Sequence, residues 1–330
     1  MKSPVFVLGC PRSGTTLLSH MLISSGGFAV YRTESHVFDM ILPKFGNLRS
    51  VKSRERLMDQ WLNSHYWRLS GLDREEIRRK VLMECKDGSQ FLSTIMNSIA
   101  ESQNVDRWTE ATPAHLLHIT QIKGAIPDAL VIHVIRDGRD CALSLDKQGW
   151  INQLRWHKDQ SLLVAGIYWE WMVRAGRRCG SNILPDYLEV RFEDLIERPR
   201  EVLATVGGFI GQDLDYDRIQ RSGVGSVSRP NTSFSEEATG GFSPVGRWKS
   251  RYPKERLHFF EAAVGPFLRE LGYEMGSPGC AASQKVWAKS LRALYMSYFE
   301  SKQFIKANTP LSRLMVSTSL MRYGPHYKPR

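Results

Sequence analysis

Arg12 sits in a short turn bounded by Gly9 and Gly14, in the string VFVLGCPRSGTTLL from Val5 to Leu18. An apolar run, a Gly-rich turn and then a helix is a layout in which backbone N–H groups and a helix N-terminus point at an anion. The G-x4-G spacing is that of nucleoside-triphosphate loops, which continue Gly-Lys-Ser/Thr. Here Gly14 is followed by Thr15 and Thr16, and the cation of the turn is Arg12. A loop that grips a γ-phosphate and Mg²⁺ needs the Lys; one that grips a single 5′-phosphate without metal does not. Ser13, Gly14, Thr15 and Thr16 are therefore expected to offer N–H groups to a phosphate, with Arg12 as the counter-charge. A second apolar run, in VIHVIRDGRDCALS, ends at Arg136 and carries Ser144 eight residues on. With a helix starting near Arg139, these two can converge on another phosphate.

Two short apolar runs, at Val5–Leu8 and 129–135, read as buried parallel strands, and 187–192 reads as a third strand. They alternate with helical patterns, which predicts an α/β fold with a doubly wound parallel sheet. Such sheets bind ligands at the carboxyl ends of their strands, where both cationic turns lie. Residues 54–104 read as a helical insertion, with Asp73 as an N-cap. Further helices are expected over 158–178, from near Arg200, and over 254–271. The Gly, Ser and Thr of Ser222–Val245 predict a mobile loop. Residues 1–280 are expected to form one domain, and 281–330 a basic extension of two helices.

Composition narrows the class. The chain has 330 residues and a net charge of +11. From Lys285 to Arg330 there are nine Lys and Arg against one Glu, which places +8 of that charge in the extension. A near-neutral core without a nucleic-acid motif argues against nucleic acid as partner. No apolar run reaches the ~18–20 residues of a membrane span. The apolar run before Arg12 is too short for a secretory leader, so the chain is expected to be cytoplasmic. The five cysteines are scattered, with no C-x-x-C, against both a disulfide framework and a zinc site. The extension mixes Leu and aromatics with Lys and Arg, a pattern that suits either peripheral contact with an anionic membrane or docking on the core. Trp150, Trp156, Trp169 and Trp171 crowd one region and are expected to pack a helix face.

The strand–Pro-Arg-Ser-Gly-Thr-Thr–helix resembles the 5′-phosphosulfate loop of sulfotransferases that use 3′-phosphoadenosine 5′-phosphosulfate (PAPS), in a branch similar to bacterial, tyrosylprotein and heparan 3-O-sulfotransferases. VIHVIRDGRDCALS is similar to that family's 3′-phosphate segment, which implies that Arg136 and Ser144 hold the 3′-phosphate. YLEVRFEDLIERP resembles a third family segment, with Phe192 in place of a tyrosine. GRWK resembles a fourth, which folds over the nucleotide and implies contacts from Arg247, Trp248 and Lys249. The Arg-Lys-Gly that precedes it in relatives is absent, since Gly241, Phe242 and Ser243 stand there. ESHVFD resembles a segment whose Glu is the family's proposed general base. That role falls on Glu34, with His36 as support. TEATPAHLLH departs from Glu-Lys-Thr-Pro by having Ala111 where relatives place a Lys on the sulfate, and its Glu110, His115 and His118 are weaker candidates.

The resemblance implies metal-independent in-line transfer of a sulfuryl group from PAPS to an acceptor hydroxyl. Catalysis then needs positioning, cations on the leaving phosphate and a base. Carbohydrate, glycolipid, tyrosine and small-molecule alcohols all stay open as acceptors. A P-loop kinase and a catalytically silent nucleotide-binding protein at a membrane surface are the alternatives.

Overall fold

The computed structural model describes all residues except 47, 152, 223–242, 280 and 318–330. The predicted loop Ser222–Val245 thus lies largely outside the described residues. Four parallel strands form one sheet in the order β2-β1-β3-β4, with β1 Val5–Leu8, β2 Thr109–Glu110, β3 Leu130–Ile135 and β4 Tyr187–Arg191. The central pair runs in register from Val5 opposite Leu130 to Leu8 opposite His133. β2 is two residues long and carries too little pattern to read from sequence.

Strand alternation divides the core. Val5 and Val7 of β1 and Ile132 and Val134 of β3 pack with helix α1 (Thr15–Ser25) and the helix Pro199–Ile210. Phe6, Leu8, Val131 and Ile135 point to the other face, against helices α2 (Gly138–Gln148) and α3 (Ser161–Gly180). With both faces covered, a near-continuous apolar strand is what the sheet requires. His133, also on β3, is fully buried and its Nδ1 lies 2.6 Å from the Tyr187 hydroxyl. Burial, then the Arg177 charge, holds its pKa down at about 3, so it stays neutral.

The insertion is four helices, Val51–Trp61, His65–Ser70, Arg74–Glu84 and Gly88–Ser102. Asp73 caps the third by accepting from the Glu76 N–H. Helix α4 (Lys254–Glu270) and the long helix α5 (Ala282–Asn308) pack against α3. α5 docks through Leu291, Tyr295 and Phe299. Arg292 grips the buried Glu170 of α3 with Nε and Nη2 at 2.7 and 2.6 Å. Trp287, Leu294 and Phe304 of α5 remain exposed. One face of the helix is core, which is the docking role expected of it. No helix among the described residues is long and apolar enough to cross a membrane.

The aromatic expectation holds for two of four residues. Trp169 and Trp171 are buried in α3, whereas Trp150 and Trp156 are 47% and 74% exposed. Trp150 follows Gly149, the left-handed C-cap of α2, and so has left the helix face.

Candidate functional site

The turn after β1 closes on itself. Ser13 donates its N–H and its hydroxyl to the Cys10 carbonyl, at 3.1 and 2.6 Å. Arg12 and Gly14 take left-handed backbone angles, φ 74° and 100°. At Gly14 a β-carbon would lie 2.2 Å from the Phe192 ring, so this position needs glycine for space as well as for backbone angle. Gly14 also caps α1 without a side chain, which leaves first-turn N–H groups open to a ligand.

α2 begins where β3 ends. Asp137 caps it through the Arg139 N–H and receives support from Glu193, which accepts the Asp137 N–H at 2.9 Å. Arg136, just before the cap, donates to the carbonyls of Arg12 and Pro244, and its guanidinium lies 4.5 Å from the Phe192 ring centroid. Ser144 accepts from Arg12 Nε at 2.8 Å. The structure thus joins the two turns that the sequence kept 132 residues apart.

Between them lies a cavity of about 730 Å³, open mouth included. Arg12, Gly14, Thr15, Thr16, Glu34, Arg136, Ser144 and Arg247 line it, together with Trp150 and Phe192. Burial lowers the pKa of Arg12, and the Arg136 charge adds to this. Burial and then Arg136 bring Arg247 down to about 10. Three guanidinium groups forced together out of water are stabilised by an anion between them. Buried Nε of Arg136 has no hydrogen-bond partner among the described residues, as expected of a donor kept for a ligand.

The remaining predicted residues lie off the cavity wall. Ser13 is buried beneath the loop. The Trp248 ring stacks 3.5 Å from the Arg139 guanidinium, which pairs with Asp137 and Glu261. Asp140 fixes this segment by accepting from the N–H groups of Gly246 and Trp248, at 2.8 and 2.9 Å. Lys249 is exposed beside that ring. Of GRWK, then, Arg247 is the residue brought to the wall.

His36 stands behind Glu34 and opens a chain of alternating carboxylates and imidazoles. Its Nε2 lies 3.0 Å from Glu34 and its Nδ1 3.0 Å from Asp39. His115 continues the chain, 3.5 Å from Asp39 and 2.9 Å from Glu110. Glu110 also accepts from Ser35 and Thr112. Burial opposes the charged form of His36, but Asp39 and Glu34 lift its pKa well above the ordinary value. At His115, burial is likewise outweighed by Glu110 and Asp39, and the pKa rises to about 9. Its Nε2 meets two rivals: the Phe38 N–H at 3.2 Å, which needs a bare nitrogen, and Asp39, which needs a protonated one. His115 is fully buried and Glu110 nearly so, which fits positioning better than contact with substrate.

Sequence reasoning missed Asp39, and with it the chain. Its only signal was a carboxylate three residues after His36. His118, three residues from His115, points elsewhere and bonds Gln121.

Residues 4–216 match the model of the family described as the sulfotransferase family. No curated protein matches the chain. Among solved structures, the sulfotransferase domain from the curacin biosynthetic pathway is 16% identical with a TM-score of 0.53. That similarity covers 83% of this chain and 99% of the other. The sulfotransferase domain of the Synechococcus PCC 7002 olefin synthase is 18% identical with a TM-score of 0.52, over 89% and 96%.

Proposed function

The chain belongs to the sulfotransferase family, and we propose that it moves a sulfuryl group from PAPS to an acceptor hydroxyl with Glu34 as general base. The observation that carries this reading is the convergence of Arg12, Arg136, Arg247 and Ser144 on one cavity with Glu34 at its wall. The donor set fits a nucleotide with more than one phosphate, because the turn after β1 and the start of α2 each bring a cation and further donors to the same cavity.

When bound, the phosphosulfate supplies the sulfuryl group and the leaving phosphate. Arg12 and the N–H groups of Thr15 and Thr16 would hold the 5′ end; Arg136 and Ser144 would hold the 3′-phosphate. Charge-assisted contacts of this kind strengthen in a water-poor cavity and need no reorganisation as charge develops. Glu34 takes the proton of the acceptor hydroxyl. His36 donates to Glu34 and, held from behind by Asp39, fixes where that carboxylate points. The hydrogen bond supplies orientation, which general-base catalysis requires first.

Calorimetry with 3′,5′-adenosine bisphosphate (PAP), paired with transfer of label from radiolabelled PAPS to a panel of hydroxyl acceptors, tests the reading. PAP is expected to bind in preference to ATP, and turnover to persist in excess EDTA. Binding of ATP alone, or turnover that only Mg²⁺ restores, would overturn it.

A further inference from the structure

A second cavity, of about 750 Å³ with its open mouth, lies on the far side of Trp150. Trp150 lines both cavities, and Asp39, two links behind Glu34 in the carboxylate–imidazole chain, lines the second. The second cavity therefore adjoins the reaction site. Its wall is built of rings. Tyr168, Trp171 and Phe299 pack on one another with centroids 5.3–5.7 Å apart, and Trp150 stands where the two cavities meet, its ring centroid 5.6 Å from the Arg12 guanidinium. Its rim is cationic. Lys302 and Lys306, one helical turn apart on α5, both face it, and among the described residues neither makes an ion pair.

We infer that this cavity is the acceptor site and that it takes a hydroxyl-bearing aromatic compound with an anionic group, the ring lying against Trp150, Tyr168, Trp171 and Phe299 and the anion between Lys302 and Lys306. The inference rests on the proposed sulfuryl transfer and adds the acceptor class to it. Charge complementarity selects this occupant over a neutral sugar. Two ammonium groups that make no ion pair among the described residues, Lys302 with the Tyr298 ring 5.8 Å away, favour an anion at one end of a flat ring. The neutral polar groups of the lining are the Tyr168 hydroxyl, the indole N–H groups of Trp150 and Trp171, Gln303, which lies 3.5 Å from His118, and His118 itself, whose pKa burial and the neighbouring His115 hold down at about 4; the two lysines decide the choice. Asp39 does not repel the anion as a bare carboxylate, because both of its oxygens face imidazoles. Burial and the nearby Lys302 press the Lys306 pKa down, Asp39 partly offsetting them, so an incoming anion relieves a cation already held at a cost.

Four of the residues lining this cavity, Phe299, Lys302, Gln303 and Lys306, lie outside residues 4–216, and all belong to α5. The extension thus has a role in substrate choice beyond its packing.

The test uses the full chain, with 6-hydroxy-2-naphthoate and its neutral counterpart 2-naphthol titrated by calorimetry in the presence and absence of PAP. The naphthoate is expected to bind roughly 10-fold tighter than 2-naphthol. Lys302→Gln with Lys306→Gln should bring that ratio below about 3-fold, and the doubly Arg-substituted chain should keep it. Equal affinity for the two probes, binding of neither, or a ratio that survives the Gln variant overturns the inference. Binding of 2-naphthol by the Gln variant shows that it is folded. Titration of PAP alone reads the donor site separately. A chain that fails to bind PAP yet keeps the probe ratio sinks the proposed function and leaves the cavity as an anionic-ring site, whereas PAP binding without the ratio does the reverse.

Discussion

The two cavities that meet at Trp150 are built by opposite means. The arginine-lined one draws its donors, Arg247 apart, from two short contiguous strings, Gly9–Thr16 and Arg136–Ser144, each set by one strand end and the helix that follows. The ring-lined one draws on residues scattered from Asp39 to Lys306, brought together only when α5 docks on α3. Recognition of a phosphate can be done by backbone N–H groups and a nearby cation, so it compresses into a local motif. Recognition of an apolar body needs several side chains around it, and no spacing rule announces them. The first cavity should therefore be sensitive to single changes in chemistry and the second to changes in shape and charge.

The largest effect that would break this contrast is at Glu34. Glu34→Gln keeps size and hydrogen bonding but cannot accept a proton, so turnover should fall ~10²–10⁴-fold while PAP affinity stays nearly intact. Normal turnover would place the base elsewhere. Arg136→Ala comes next. The lost charge-assisted contact should weaken PAP binding by ~1.5–3 kcal/mol, read by calorimetry on a variant shown to melt cooperatively. Unchanged affinity would remove Arg136 from the phosphate site. Gly14→Ala should cost about 1–3 kcal/mol of stability in denaturant titration, from a left-handed backbone and the collision with Phe192.

The pH effect of the buried chain is of the same order. His115 has a folded-state pKa raised from 6.5 to about 9, so its contribution to stability is full below 6.5 and is lost as pH climbs through about 9. Glu110 is depressed from 4.5 to about 2, so its contribution is present above 4.5 and lost as pH falls through about 2. The melting temperature should therefore be highest between those two limits; a curve still rising between 6.5 and 9 would deny the charged pair. The smallest change is at the shared wall. Trp150→Ala removes a ring 5.6 Å from Arg12, a contact of the ~0.5–1 kcal/mol class at an exposed site. PAP affinity should drop only a few-fold, and binding of the naphthol probes more. Equal losses on both sides would erase the division between the cavities.

The same division explains what could be read in advance. β1 and β3 were legible because each is a short apolar run stopped by Gly or a capping Asp, and the helices α1 and α2 start at those stops; β4 has no such stop, since Phe192 opens the next helix directly. Arg12, Arg136 and Ser144 were legible because they sit at fixed offsets from those stops. Trp248 was placed by resemblance, yet its ring packs on Arg139, since Asp140 holds the backbone on either side of Arg247 in a position that offers only Arg247 to the cavity. Asp39, Glu110 and His115 were illegible as a group. A buried chain of ionisable side chains drawn from three segments has no period and no spacing, only mutual compensation after folding. The exposure of Trp150 depended on a single helix-terminating glycine, which a count of aromatics cannot weigh.

Arg292 and Glu170 fasten α5 to α3 by two parallel hydrogen bonds, and a helix is a rigid ruler. At ~1.5 Å per residue, Lys302 stands ~15 Å along the axis from that clamp and Lys306 ~21 Å. One fixed point therefore gauges where both ammonium groups stand over the rings. A lineage could shift that gauge by a turn, or change the helix beyond it, and retune which molecule is received without altering any residue that handles the donor.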